Sequence, residues 1–106
     1  MDFLILNFID VEKKYLKSKN DLIIEIGSND GIFLDPLRNL GINAIGVEPA
    51  KNIAKIANSK KLVTMPEYFS NKTVNKIMKK FVKSLLIIRK IQNNVALGRI
   101  LARFTV

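Results

Sequence analysis

Two acids and a glycine-punctuated loop are the residues of this chain whose types and spacing indicate chemistry. Glu25 lies at the end of a short apolar run, and Gly27 and Gly31 follow it closely. Glycines allow a tight turn and a close backbone approach to a ligand, because they carry no Cβ. A second acid, Glu48, ends another short apolar segment and is followed by Pro49. The pattern predicts two strand ends that contribute to one binding site.

The segments around these acids alternate between strand and helix patterns. The continuous apolar run at 22–26 is typical of a central parallel strand that is covered on both faces. The alternation predicts an α/β fold, a Rossmann-like three-layer parallel sheet that is incomplete, with about four strands. The predicted strands lie at 22–26, 42–48, 62–64 and 85–88, and the predicted helices at 32–40, 50–57, 71–81 and 95–101.

With 106 residues, the chain has room for one domain at most. We predict a single partial domain over 1–106, with a leading helix at 1–20, a ligand-binding β/α half at 21–81 and an atypical basic tail at 82–106. No apolar run reaches the roughly 18 to 20 residues of a membrane span, and the features of a signal peptide are missing. A cytoplasmic location is therefore expected.

The chain contains no cysteine and no histidine. Thiolate and imidazole are common zinc ligands, and histidine is the usual general base. A disulfide scaffold, a zinc enzyme and a Ser-His-Asp hydrolase are therefore not expected, and we predict no metal. The sequence assigns no catalytic residue.

The net charge of +9 is concentrated in the last third of the chain. Residues 1–71 hold nine basic and nine acidic side chains, whereas residues 72–106 hold nine basic ones and no acid. The start of this basic segment has helical spacing, which favours an ordinary solvated helix face. The alternative is a small basic protein that binds nucleic acid or an anionic membrane through Lys72–Arg103. This alternative is the weaker of the two interpretations, and nucleic acid is not the expected partner.

The spacing of the acids and glycines distinguishes between classes of ligand. Glu48 lies 21 residues after Gly27, close to the separation of about 20 expected for an acid that accepts hydrogen bonds from ribose hydroxyls. A dinucleotide site calls for Gly-x-Gly-x-x-Gly, whereas this loop is Glu25-x-Gly27-x-Asn29-x-Gly31. The acid at Glu25 would repel a pyrophosphate and favour a cation. S-adenosylmethionine, with an ammonium and a sulfonium, fits this charge pattern.

Residues 21–61 resemble the first cofactor motif of class I S-adenosylmethionine-dependent methyltransferases. The resemblance rests on the segments EIGSNDG at 25–31 and GVEPA at 46–50. These two segments are similar to the corresponding segments of C-methyltransferases that act on nucleotide-linked deoxysugars. The resemblance implies S-adenosyl-L-methionine as the cofactor and a small-molecule acceptor, with a nucleotide-linked sugar as the acceptor of that branch.

The resemblance also implies which residues meet the cofactor. The loop would wrap the methionine part, Glu25 would anchor its polar end, and Glu48 would hold the ribose hydroxyls. Tyr68 and Phe69 resemble a segment that lies near the adenine, and by residue type they are core or pocket wall. The predicted cofactor-binding residues are Glu25, Gly27, Ser28, Asn29, Asp30, Gly31, Glu48, Pro49, Tyr68 and Phe69.

The chain departs from that branch of the family. It has no cysteine-rich zinc-binding region, and it stops after roughly the first half of a methyltransferase core. We therefore expect a fragment that does not complete methyl transfer and that self-associates through an open sheet edge. Because the tail from about residue 82 carries no acid, we hypothesise that it is a shifted reading frame or a truncated version of a longer enzyme.

Overall fold

The computed structural model describes residues 20–91 and 100–104. Strands and helices alternate along this part of the chain, and all strand pairs are parallel. The strand order is β3-β2-β1-β4, the first part of the doubly wound order 3-2-1-4. The elements are β1 (Leu22–Ile26), α1 (Leu34–Asn39), β2 (Asn43–Val47), α2 (Lys51–Ser59), β3 (Thr64–Met65), α3 (Asn71–Ile91) and β4 (Ile100–Phe104). The predicted α/β, Rossmann-like sheet is confirmed.

Helices cover both faces of the sheet, so the described fold has three layers. On one face, Ile77 of α3 packs in a cluster with Leu22 and Ile24 of β1. On the other face, Leu37 of α1 packs against Ile23, and both side chains are fully buried. Successive residues of β1 thus enter opposite layers. This double burial explains why the strand is a continuous apolar run and not an alternating one.

Helix α1 begins and ends at the residue types that the sequence indicates. Pro36 lies in its first turn, where a missing backbone N–H costs little. Gly41 follows the helix with a φ of +73°, and its N–H donates to the Arg38 carbonyl at 2.9 Å. Glycine takes this left-handed conformation without the steric cost of a Cβ. The predicted glycine cap is therefore confirmed.

Helix α3 also starts as predicted but extends much further. The Ser70 hydroxyl accepts a hydrogen bond from the Thr73 N–H at 3.3 Å, which is the expected N-cap contact. The helix then continues to Ile91, so the predicted strand at 85–88 is wrong. Residues 71–91 contain no glycine or proline. Because this range has no residue that would end the helix, the apolar residues at 85–88 continue it instead of forming a strand.

The fourth strand lies closer to the end of the chain than the sequence predicted. Residues 100–104 form β4, which pairs along its whole length with β1. The predicted helix at 95–101 is therefore wrong at its last two positions, since residues 100 and 101 are extended. Its other residues, and nearly all of the predicted leading helix at 1–20, lie outside the described residues.

The outer side of β3 is hydrogen-bonded to a side chain. The Asn58 amide donates to the Thr64 carbonyl at 2.9 Å and accepts from the Thr64 N–H at 2.9 Å. The neighbouring Val63 and Met65 carbonyls instead accept hydrogen bonds from the Gly46 N–H of β2 and from the Glu48 N–H just after it. Asn58, near the end of α2, thus occupies the ladder position that a further strand would take.

Candidate functional site

The candidate site lies at the carboxyl edge of the sheet. All strands run parallel, so the loops after β1, β2 and β3 leave the sheet at this edge. The chain runs from β1 outward to β3 and then returns to place β4 on the opposite side of β1. Such a reversal of strand order is where doubly wound sheets bind their ligands.

Glu48 joins the loops that follow β1 and β2. Its Oε1 accepts a hydrogen bond from the Asn29 N–H at 2.9 Å, and its Oε2 accepts one from the Ala50 N–H at 3.0 Å. The residue is only 9% exposed. Each carboxylate oxygen keeps a second lone pair, which can accept a ligand hydroxyl. Glu48 therefore holds the glycine loop in place, a role that its spacing in the sequence did not predict.

The backbone N–H groups of the loop donate to protein acceptors. Gly27 and Ser28 donate to the last carbonyl of β2, at 2.8 and 3.3 Å. The Asp30 N–H donates to the Asn29 side chain at 2.8 Å, and the Gly31 N–H donates to the Ser28 carbonyl at 3.1 Å. A phosphate-binding loop instead directs such groups at the anion. The arrangement therefore disfavours a pyrophosphate, in agreement with the missing dinucleotide spacing.

The two glycines of the loop have different functions. Both have positive φ, +74° at Gly27 and +94° at Gly31. A Cβ at Gly27 would meet no atom within 4 Å, whereas one at Gly31 would lie 2.4 Å from the Leu62 side chain. Gly27 thus leaves open space beside the backbone at the end of β1. Gly31 allows the loop to pack closely against the Leu62 side chain.

Ser28 packs against a glycine that the site prediction missed. A Cβ at Gly46 of β2 would lie 2.2 Å from Ser28 Oγ and 2.8 Å from a methyl group of Leu34. Ser28 is buried, and its hydroxyl has no hydrogen-bond partner among the described residues. The side chain of this predicted cofactor residue is thus packed on the sheet. A glycine inside a strand was the available signal for this close approach.

Glu25 is fully buried at the end of β1. It is in register with Gly46 on β2. Its burial excludes the alternative that Glu25 is only a solvated strand end. A buried carboxylate is costly unless a cation or hydrogen-bond donors compensate its charge, so its position favours a cationic group nearby.

The two predicted aromatic residues lie on the loop after β3. Tyr68 is 78% exposed and Phe69 is 41% exposed, so neither is a core residue. The buried Thr73 of α3 holds this loop in place. Its Oγ1 lies 2.7 Å from the Tyr68 carbonyl and 2.7 Å from the Glu67 carboxylate. The aromatic side chains are thus presented at the edge that also carries Glu48.

The remaining predicted site residues lie at the rim of the same edge. Asp30 is half-buried, and Lys60 at the end of α2 lies 4.0 Å from its carboxylate. Pro49 is half-buried between Glu48 and the start of α2. The two residues border the loop and β2 without entering the core.

The Glu67 carboxylate gives this loop a measurable pH dependence. Hydrogen bonds from the Thr73 hydroxyl and then from Lys76 hold the pKa of Glu67 below its ordinary value of 4.5. A lowered folded-state pKa stabilises the protein above the unfolded value, and this stabilisation disappears as the pH falls through the folded-state pKa. We therefore expect Glu67→Gln to be less stable than wild type at neutral pH, with the difference shrinking below pH 4.5. Urea unfolding across this range measures it.

The Thr73→Val variant provides the control for this pH effect. It removes the hydroxyl that contributes most to the lowered pKa but keeps the carboxylate. The acid-dependent loss of stability should therefore be smaller in Thr73→Val than in wild type. Identical pH profiles for wild type and Glu67→Gln would contradict the assignment.

The basic run on α3 is exposed to solvent. Its members are Lys72, Lys76, Lys79, Lys80 and Lys83. At 3.6 residues per turn, these positions fall within an arc of about 100°. Lys76 pairs with Glu67 at 3.1 Å. The positions agree with the solvated helix face that the sequence favours.

The part of the chain that the structure describes contains neither a membrane-spanning helix nor a metal-binding cluster. None of its helices combines the length and the apolar character that crossing a membrane requires. Among these same residues, no three acidic, histidine or cysteine side chains are grouped so that they could hold a metal ion.

Comparison with known proteins finds one informative likeness. No family model matches the chain. Over 50 residues, 47% of its length, the chain is 42% identical to the C-methyltransferase NovU of Streptomyces niveus. The matched segment spans only 12% of that protein. The likeness supports a methyltransferase-like relationship for this incomplete Rossmann-like fold.

Proposed function

We propose that this chain binds S-adenosylmethionine and is the cofactor-binding half of a methyltransferase. The observation that carries the proposal is the Glu48 carboxylate. It accepts a hydrogen bond from the Asn29 N–H at 2.9 Å, at the sheet edge where the buried Glu25 lies one residue before the end of β1. The likeness to a C-methyltransferase supports the same reaction class. The backbone N–H groups of the glycine loop already donate to acceptors within the protein, which argues against a dinucleotide as the ligand.

The residues at this edge fit the parts of that cofactor. Open space at Gly27 lets a ligand approach the backbone, and the buried Glu25 carboxylate suits an ammonium group. The second lone pairs of Glu48 suit ribose hydroxyls, and the exposed Tyr68 and Phe69 offer apolar surface for an adenine ring. When bound, the cofactor supplies a methyl group on a positively charged sulfur. The chain's residues bind it and set its orientation.

We propose that the methyl acceptor is a small molecule of the nucleotide-linked sugar class, with a sugar carbon as the methylated atom. Support comes from the resemblance of the motifs at 25–31 and 46–50 and from the likeness to a C-methyltransferase. Neither the acceptor site nor a general base is assigned to a residue of this chain. We therefore propose cofactor binding, without turnover, as its activity.

Calorimetric titration with two ligands tests the proposal. We expect S-adenosylhomocysteine to bind with a saturable heat at one site per chain. NAD⁺ should bind at least about a hundredfold more weakly, because the loop lacks free donors for its pyrophosphate. Equal affinity for both ligands, or no heat with S-adenosylhomocysteine, would count against the proposal.

The exposed lysines of α3 favour a second candidate function, the binding of nucleic acid or an anionic membrane. Varying the salt concentration separates it from the first. Affinity for an oligonucleotide or for anionic vesicles would fall steeply with added salt, because counterions are released on binding. Affinity for S-adenosylhomocysteine should change little. Salt-dependent polyanion binding without cofactor binding would favour the second function.

A further inference from the structure

Helix α3 carries two exposed apolar side chains beside its row of lysines. Met78 is 42% exposed and Val82 is 39% exposed, and they lie one helical turn apart. At 3.6 residues per turn, about 60° around the helix axis separates Val82 from the position of Lys79. The buried Ile77 marks the side of the helix that packs on the sheet. The outward side of α3 is thus divided lengthwise into an apolar stripe, Met78 and Val82, and a basic stripe.

The charge of this surface has one sign. The lysines between positions 72 and 83 are all exposed, and the sequence has no acid after Glu67, which pairs with Lys76. Two copies of the chain that met through this face would bring two rows of lysines together, and like charges repel. With a rise of 1.5 Å per residue, Met78 and Val82 lie about 10 and 16 Å along the helix from Asn71, where α3 begins near the carboxyl edge. The surface therefore fits an anionic partner and is separate from the proposed cofactor site.

We propose that this face of α3 docks on an anionic lipid bilayer. The lysines would lie against the charged headgroups, and Met78 and Val82 would enter the boundary between headgroups and acyl chains. A nucleic acid would engage the lysines but leave the apolar stripe in water, whereas a bilayer accepts both stripes. The inference narrows the second candidate function to one partner and does not depend on cofactor binding.

A tryptophan placed in the apolar stripe tests the docking, because the sequence contains no tryptophan of its own. We expect the fluorescence emission of Met78→Trp to shift to the blue on mixed vesicles of phosphatidylserine and phosphatidylcholine, since the indole ring leaves water. An oligonucleotide should leave the emission unchanged. The control is Ile56→Trp, at an exposed apolar position of α2, and its emission should shift with neither partner.

Vesicle sedimentation of the full chain tests the basic stripe. Lys79→Gln combined with Lys83→Gln should weaken binding to the mixed vesicles by at least about tenfold, because each basic residue at an anionic bilayer contributes several-fold in affinity. Lys51→Gln combined with Lys55→Gln is the matched control. It removes the same charge, at the same spacing, from exposed positions of α2, and should change the affinity by less than about threefold.

Several outcomes would overturn the membrane surface. One is equal binding of the wild type to mixed vesicles and to pure phosphatidylcholine vesicles, or binding to neither. Another is an emission of Met78→Trp that the mixed vesicles leave unchanged. A blue shift with the oligonucleotide would indicate nucleic acid instead, and a shift that depends on protein concentration alone would indicate a second copy. Should Met78→Trp not fold, the wild-type comparison of the two kinds of vesicle decides.

Discussion

Replacing Glu48 with alanine is expected to weaken S-adenosylhomocysteine binding by at least about a hundredfold. The substitution removes the acceptor of the Asn29 and Ala50 N–H groups as well as the proposed ribose partner. Hydrogen bonds to a charged group contribute about 1.5–3 kcal/mol each, and roughly 1.4 kcal/mol corresponds to a factor of ten. The glycine loop also loses one of its attachments at the end of β2, while the hydrogen bonds of Gly27 and Ser28 to the Val47 carbonyl remain. Calorimetric titration of wild type and variant gives the affinity ratio.

Asp35→Ala is the matched control for this experiment. Asp35 is also an acid close to the carboxyl edge, in the first turn of α1 after the glycine loop, but its exposed carboxylate pairs with Arg38 at 2.7 Å. Its removal should leave the affinity for S-adenosylhomocysteine within the same order of magnitude. If Glu48→Ala bound the ligand as tightly as wild type, the proposed site would be wrong. A loss of equal size in both variants would point to general disruption of this edge.

The Gly46→Ala substitution is expected to destabilise the fold by about 1–3 kcal/mol or more. The new methyl group would lie 2.2 Å from Ser28 Oγ and 2.8 Å from Leu34, so the loop or α1 would have to move. Because Ser28 belongs to the loop that Glu48 holds, cofactor affinity should fall as well. Urea unfolding of the purified variants measures the loss of stability.

A second substitution distinguishes this clash from other effects of a glycine change. Adding Ser28→Gly to Gly46→Ala removes the two Ser28 atoms nearest the new methyl group and should restore part of the lost stability. Gly27→Ala is the control, since its methyl group would meet no atom within 4 Å and only its φ of +74° is unfavourable. Ser28→Gly should not rescue it. Equal rescue of both variants would refute the proposed contact.

Local patterns predicted the elements around β1 because each has its own signal. The double-sided burial of β1 requires an apolar run, and Gly41 ends α1 because its conformation favours glycine. The C-terminal end of α3 and the strand β4 lack such signals. An apolar run of four residues fits either a strand or a helix, and β4 is defined by pairing with a strand far earlier in the chain. No local sequence pattern predicts the pairing of β4 with β1.

The position of Glu48 relative to the glycine loop was predictable from the sequence, but the contacts between them were not. Spacing predicted that Glu48 lies at a strand end near the glycine loop. That its carboxylate bonds to the Asn29 N–H depends on the parallel pairing of β1 with β2, as does the contact between Ser28 and Gly46. Residue types give the chemistry, whereas pairing between distant segments decides which groups meet.

The hydrogen bonds between Asn58 and Thr64 protect the β3 margin of the sheet. The outward N–H and carbonyl of Thr64 are already satisfied, so a further strand would have to displace a side-chain amide before it could pair there. Unpaired strand edges are the places where sheets recruit other chains. A single side chain of α2 thus raises the free-energy cost of strand addition at this margin.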